Sequence, residues 1–192
     1  MKKNLITVVC LFFACSFLLN TQVFAYWNTY VTLQIDNPYY INRASGPLRL
    51  DENDPSVRPI IHEGRAMLPL RAVASIIPLD GPGYYVVDWY ESERKAVLIE
   101  RCQTNPSRHQ PVADFWIGST SAVFYDSSDQ SANRVTISSA PIIVNGRTYL
   151  PLRAVADAIG WDIEWVESKR GIVVYYRMRP SGVLFPDGSR MD

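Results

Sequence analysis

One stretch of nineteen residues occurs twice in the chain, and this duplication constrains the fold more than any other feature of the sequence. The segment 59–77 reads PIIHEGRAMLPLRAVASII, and the segment 141–159, which lies 82 residues further on, reads PIIVNGRTYLPLRAVADAI. Thirteen of the nineteen positions are identical without a gap, which chance does not produce. We therefore interpret the chain as an internal duplication of one structural unit.

The second copy predicts a hairpin followed by a helix. Asn145 and Gly146 separate two short apolar stretches, and this pair is typical of a tight hairpin turn because both residues tolerate positive φ. Pro151 suits the first turn of a helix, where its missing N–H is no loss. Gly160 is a typical helix end. Between them lies an apolar helix face with i, i+3, i+4, i+7 spacing, formed by Leu152, Val155, Ala156 and Ile159, and matched in the first copy by Leu70, Val73, Ala74 and Ile77.

The matched register extends on both sides of the repeated stretch. Residues 33–35 correspond to residues 115–117, and residues 88–94 correspond to residues 164–170 after a turn-rich insertion of six residues in the first copy. The predicted fold class is α+β, with two repeats that each consist of a short antiparallel curved sheet packed around one short α-helix. Sequence alone leaves open whether the two repeats share a sheet.

Four segments follow from this register and from local composition. A polar stretch over 103–110 separates the two repeats and is predicted to be a linker. The predicted segments are a signal peptide over 1–25, a first repeat over 26–104, a second repeat over 111–178 and a flexible tail over 179–192.

The first 25 residues have the pattern of a secretory leader. Lys2 and Lys3 precede an apolar run, and Val23-Phe24-Ala25 offers a cleavage site. We expect a secreted or cell-surface protein, and it stays open whether the leader is cleaved or retained. The full chain has 19 basic and 19 acidic residues, so loss of the two leader lysines leaves a net charge of −2. This balance gives no support to nucleic-acid binding, and we expect no membrane contact after cleavage.

The repeated residues resemble the copper amine oxidase N-terminal domain-like family, also called stalk-domain proteins. The family pattern is a small hairpin, then G-R-T-x-x-P-L-R, a helix that ends in L-G or I-G, and V-x-W-[DE]. The second copy matches closely, whereas the first has Ala66 in place of the threonine. The resemblance implies two tandem copies of a non-catalytic module in an exported bacterial protein that acts as a cell-surface or cell-wall-associated binding element or spacer. The motif positions are Gly64, Arg65, Pro69, Arg71, Asp88, Trp89, Gly146, Arg147, Pro151, Arg153, Glu164 and Trp165.

Arg71 and Arg153 hold the same early position in the two predicted helices. A positive charge there interacts unfavourably with the helix dipole, so we expect a compensating carboxylate. Asp88 and Glu164 are the candidates, and each would brace a helix against a strand. A ligand-binding arginine is the alternative interpretation.

The chain offers little for catalysis or metal binding. Its two histidines, His62 in a predicted strand and His109 in the predicted linker, have no metal-ligand spacing, and a copper site needs several imidazoles. Neither a Gly-x-Ser-x-Gly motif nor a phosphate-binding glycine loop occurs. We therefore predict a protein that is not an enzyme, with no catalytic residue, no metal site and no cofactor. A secreted enzyme or enzyme inhibitor with an unrecognised site is the alternative.

Aromatic residues are abundant, with five Trp and eleven Tyr. Trp89 and Trp165 are predicted to be core residues. Others could stack on sugar rings or on a partner surface, although half-buried strand faces explain them equally well. We therefore hypothesise that the partner is cell-wall polysaccharide or another surface protein. The candidate stacking residues are Trp27, Tyr39, Tyr40, Tyr84 and Tyr85.

Overall fold

Antiparallel strands and two short helices make up the fold. The computed structural model describes residues 30–42, 46–76, 83–102, 104–105, 109–175, 180 and 182–191, so the predicted signal peptide lies outside the described residues. In chain order the elements are β1 (Tyr30–Gln34), β2 (Tyr39–Asn42), β3 (Leu48–Arg49), β4 (Ile60–His62), β5 (Arg65–Pro69), α1 (Leu70–Ile76), β6 (Gly83–Tyr90), β7 (Lys95–Cys102), β8 (His109–Trp116), β9 (Ser121–Tyr125), β10 (Ala132–Thr136), β11 (Ile142–Val144), β12 (Arg147–Pro151), α2 (Leu152–Ile159), β13 (Asp162–Val166), a 3₁₀ turn (Glu167–Lys169) and β14 (Gly171–Tyr175).

The two repeated hairpins pair with each other through β5 and β12. They form one four-stranded sheet in the order β11-β12-β5-β4. Leu68 lies opposite Leu150 across β5 and β12, and these two residues hold the same position in the two repeated segments. Both leucines are fully buried. The duplicated sequence therefore packs against its own copy.

The two five-stranded sheets also combine both halves of the chain. One has the order β13-β14-β1-β2-β3 and the other has the order β10-β9-β8-β7-β6. The predicted layout of one sheet for each repeat is therefore not the observed pairing. His109 and Gln110, which we expected in a linker, begin β8 and pair with Arg101 and Glu100 of β7.

Both hairpin turns place two consecutive residues at positive φ. Asn145 and Gly146 have φ values of 50° and 72°, which confirms the predicted turn between β11 and β12. In the first copy, Glu63 and Gly64 adopt nearly the same values, 48° and 72°. This pair of positive φ angles is that of the turn whose twist matches the twist of the flanking strands. Glu63 therefore occupies a conformation that residues with a Cβ rarely adopt.

The helices follow the predicted apolar pattern but begin one residue later. Pro151 has extended backbone angles, φ −62° and ψ 118°, and ends β12 instead of opening α2. Gly160 ends the helix in the left-handed conformation, as predicted, with φ 71°. Leu152 and Val155 are buried on the face toward the core, while Ile77 lies outside the described residues. No helix in the described part of the chain has the length and apolar character that a membrane span requires.

One main core unites the three sheets and both helices. Its fully buried members include Leu33 from β1, Phe115 from β8 and Ile172 from β14. Burial of a large apolar side chain contributes roughly 1.5–3 kcal/mol, so these contacts hold both halves of the chain in one body.

The C-terminal segment packs against the sheet that contains β1 and β14. We expected a flexible tail over 179–192, whereas Val183 and Phe185 are fully buried beside Val173. The Thr32 hydroxyl donates a hydrogen bond of 2.7 Å to the carbonyl oxygen of Leu184. The Phe185 ring lies directly on Gly171, where a Cβ atom would overlap it. The described residues 182–191 thus pack against this sheet although their sequence has no periodicity.

Candidate functional site

Two grooves on the surface are lined by the residues that the sequence duplicates. The first groove has a volume of about 870 Å³ and the second groove has a volume of about 390 Å³. Each takes the start of a helix from one repeated segment and a hairpin turn from the other. Residues that define the first groove are Asp51, Asp54, Arg71, Trp89, Gly146 and Arg147. Residues that define the second groove are Ile61, Gly64, Arg65, Arg153, Trp165 and Glu167.

The two grooves are built from corresponding positions. Arg71 in the first groove corresponds to Arg153 in the second, and Arg147 in the first corresponds to Arg65 in the second. Such a correspondence requires both hairpins to share one sheet, because each turn reaches across to the helix of the other segment. The sequence motif therefore lines two surface depressions.

A loop of the chain itself supplies carboxylates to the first groove. The Arg147 guanidinium forms ion pairs with Asp54 and, at 3.4 Å, with Asp51. Hydrogen bonds from the Ser56 hydroxyl and backbone N–H, and then from Arg147, lower the pKa of Asp54 to about 2. A carboxylate held ionised in this way is a poor proton donor or acceptor near neutral pH. These ion pairs hold the loop against the hairpin, and the arrangement does not resemble an acid–base site.

The corresponding arginine of the second groove has a different environment. Arg65 is exposed, and its guanidinium donates a hydrogen bond of 3.4 Å to the carbonyl oxygen of Gly64. Across the residues that the structure describes, no ion pair includes Arg65. The second groove thus presents a charge that the first groove neutralises internally.

The early-helix arginines lie at the groove walls. Nη2 of Arg153 is 3.5 Å from the carbonyl oxygen of Ile163, so the guanidinium reaches β13 beside Glu164. Asp88, the expected partner of Arg71, forms an ion pair of 3.7 Å with Arg101 across β6 and β7. The carboxylate braces that we expected stay predictions, and the tie between α2 and β13 runs through a backbone oxygen.

The two matched tryptophans lie at the grooves and are not both core residues. Trp165 is 41% exposed, and Trp89 is half-buried. Each indole N–H donates a hydrogen bond to a glutamate two residues later, from Trp89 to Glu91 and from Trp165 to Glu167. The prediction that Trp165 belongs to the core was therefore wrong, because its strand β13 lies at a sheet edge.

The proposed stacking residues divide into exposed and buried ones. Tyr84 is 40% exposed, and Tyr39 is half-buried with the Arg49 guanidinium 5.3 Å from its ring centroid. Tyr40 and Tyr85 are both buried at 7% exposure and cannot stack on a ligand, which corrects the prediction for these two residues. Trp27 lies outside the described residues. Of the four described members of this set, only Tyr39 and Tyr84 leave ring surface accessible.

The histidines occupy strands and share no site. His62 lies in β4, with its Nε2 4.0 Å from Oε1 of Glu63, while His109 lies at the start of β8. Within the described ranges, no group of three metal-ligating side chains comes together.

Sequence reasoning missed the acidic loop of the first groove. Asp51 and Asp54 lie in a stretch that composition identifies as a loop, and their contact with Arg147 spans more than 90 residues of sequence. One signal was present, because the segment before the first hairpin is acidic and the segment before the second contains no acidic residue from position 130 to position 141.

A family model described as Copper amine oxidase N-terminal domain matches residues 49–176. This single match spans both repeated segments and both grooves, so two tandem copies of the family domain are not confirmed. No curated protein and no solved structure showed a significant match.

Proposed function

The chain belongs to the copper amine oxidase N-terminal domain family, whose domain is a non-catalytic module of those enzymes, and from this premise we propose that it is an exported, non-catalytic binding module at the cell surface or cell wall. The proposed partner is cell-wall polysaccharide or another surface protein. Export rests on the leader pattern of residues 1–25, and binding rests on the second groove.

One observation carries the binding role, namely the exposed side chains at the second groove. Trp165 and Ile61 are 41% and 44% exposed and both line this groove. Arg65 lines the same groove. An exposed aromatic ring and a positive charge in one groove are suited to binding a partner, because a rigid ring gives wide contact at low entropic cost.

The first test measures binding of the full exported chain to purified cell wall. We expect the wall to retain the protein, and we expect Trp165→Ala to reduce the retained fraction by at least about fivefold, since removal of a stacking aromatic at an interface typically costs more than 1 kcal/mol. The matched control is Tyr90→Ala, which removes a ring that is 43% exposed at the end of β6. Walls stripped of protein separate polysaccharide binding from protein binding. Retention no greater than that of an unrelated protein of similar charge would refute the proposal.

A further inference from the structure

We propose that the second groove docks an acidic segment of a partner protein, with Arg65 as the residue that receives its carboxylates. This inference rests on the proposed binding role of the groove and specifies the chemistry of the partner. It follows from a comparison of the two grooves, because one of them already holds a segment of this kind.

The first groove shows what such a groove accepts. Its arginine, Arg147, contacts Asp51 and Asp54 of the chain's own loop. Leu50 and Val57, which flank these carboxylates, are buried at 5% and 2% exposure. The loop therefore enters as an acidic stretch between two apolar anchors. Arg147 and Arg65 hold the same position in the duplicated hairpin, so the same segment chemistry fits both turns.

The second groove has the corresponding arginine, but among the described residues no carboxylate pairs with it. The counterpart of the acidic loop is the segment 130–141, which precedes the other hairpin and reaches the second groove at Ser138, and it contains no Asp or Glu. Arg65 is exposed, and none of the ion pairs among the described residues includes it. A guanidinium forms its strongest hydrogen bonds with carboxylates, so an acidic segment from another chain would supply what the loop supplies in the first groove.

The walls of the second groove also suit a segment that carries apolar residues beside its carboxylates, as the loop in the first groove does. Ile61 and Trp165 add exposed apolar surface to the same groove. Arg153 adds a second positive charge at the start of α2, while the Glu167 carboxylate accepts the Trp165 indole N–H. The preferred partner segment is therefore acidic with a flanking aliphatic residue, which favours a protein over a neutral polysaccharide.

The experiment uses the chain's own loop as the probe. A fluorescent peptide with the sequence of residues 48–58 is titrated with the full chain, and its anisotropy is followed. We expect one site with a dissociation constant of about 1 mM or lower in low salt, weakened by added salt because the contact is between charges. The control peptide carries Asp51→Asn, Glu52→Gln and Asp54→Asn and should bind at least about tenfold more weakly.

Two variants of the full chain locate the site. Arg65→Gln should weaken binding of the acidic peptide by about tenfold, since it removes charge-assisted hydrogen bonds. Arg134→Gln is the matched control, because Arg134 is an exposed arginine of β10 that is not among the residues lining the groove, and it should leave the affinity unchanged. A circular dichroism melt verifies that both variants are folded.

Equal binding of the acidic and neutral peptides would overturn the inference, and so would unchanged affinity in Arg65→Gln. It would also be overturned if no binding is seen at protein concentrations several times the expected dissociation constant. These outcomes are distinct from failure of the proposed function. Retention on protein-stripped wall without affinity for the peptide would refute only the inference, whereas affinity for the peptide without retention on any wall preparation would refute only the cell-wall role.

Discussion

Arg65 and Arg147 have the same neighbours in sequence and different partners in space. Both follow the glycine of a hairpin turn, at the first position of the returning strand. Arg147 is tied to the acidic loop, whereas Arg65 faces the second groove. The duplication thus preserved the arginine, while the segments before the two hairpins diverged. At the scale of residues, the two arginines differ in whether a carboxylate of the same chain is within reach.

The lowered pKa values of two aspartates predict how the free energy of unfolding depends on pH. Hydrogen bonds from Ser56 lower the pKa of Asp54 to about 2, and hydrogen bonds from Ser189 and then Gln34 lower the pKa of Asp187 to about 2. The unfolded chain therefore binds more protons than the folded chain between pH values of about 2 and about 4. The free energy of unfolding should rise with pH across this window, and this contribution should be complete above it.

The double variant Asp54→Asn and Asp187→Asn checks this dependence. Urea unfolding at several pH values should show a shallower rise between about pH 2 and pH 4 than in the unchanged chain. Glu52→Gln is the control, because it removes an exposed carboxylate of the same loop. An unaltered slope in the double variant would contradict the assignment.

The two hairpin turns adopt the same backbone conformation, although the local sequence favours this conformation more strongly in the second copy than in the first. Both turns require positive φ at two positions, and the second copy supplies Asn and Gly. The first copy places Glu63 at φ 48° and relies on its surroundings to hold it there. Because β4 and β5 pair with the other hairpin through β12, tertiary contacts compensate for this weaker local preference.

A reciprocal exchange tests this account of the turns. Glu63→Asn should stabilise the protein by about 0.5–1 kcal/mol and raise its melting temperature by a few degrees, since asparagine tolerates the left-handed region better. Asn145→Glu should lower the melting temperature by a similar amount. Thermal melts followed by circular dichroism measure both changes. A shift of the same sign in the two variants would show that side-chain contacts, and not backbone conformation, decide the effect.

The whole molecule is organised by strand exchange between its halves. The strands that follow the first helix, β6 and β7, continue into the sheet of β8, β9 and β10. The strands that follow the second helix, β13 and β14, return to the sheet of β1, β2 and β3. All three sheets therefore contain strands from both halves, and both grooves described above take residues from both halves.

Separation of the halves should therefore abolish folding. We expect the segments 26–104 and 105–192, expressed alone, to lack a cooperative melt, because each would expose sheet edges and apolar faces that the other half covers. An equimolar mixture should recover β-sheet signal in circular dichroism and dispersed amide signals in NMR. A cooperative melt by either segment alone would indicate an independent repeat and would contradict the exchanged arrangement.

Local features of this protein were predictable because short-range chemistry determines them. The Asn145-Gly146 turn, the apolar face of α2 and the helix end at Gly160 follow from backbone preference and from periodicity. Trp165 could not be placed in the same way, because its exposure depends on β13 being an edge strand. Tyr40 and Tyr85 were misjudged for the related reason that alternation does not tell which sheet face is covered.

By itself, the sequence determined that a hairpin-and-helix unit occurs twice and that the chain belongs to a family of non-catalytic domains. The tertiary structure alone decided that the two hairpins pair, that strands are exchanged and that the C-terminal segment packs on Gly171. The physical reason is the sequence distance between the residues that determine each feature. A turn or a helix is specified by neighbouring residues, whereas the choice between equivalent strand edges depends on which pairing buries the apolar faces of the whole chain together.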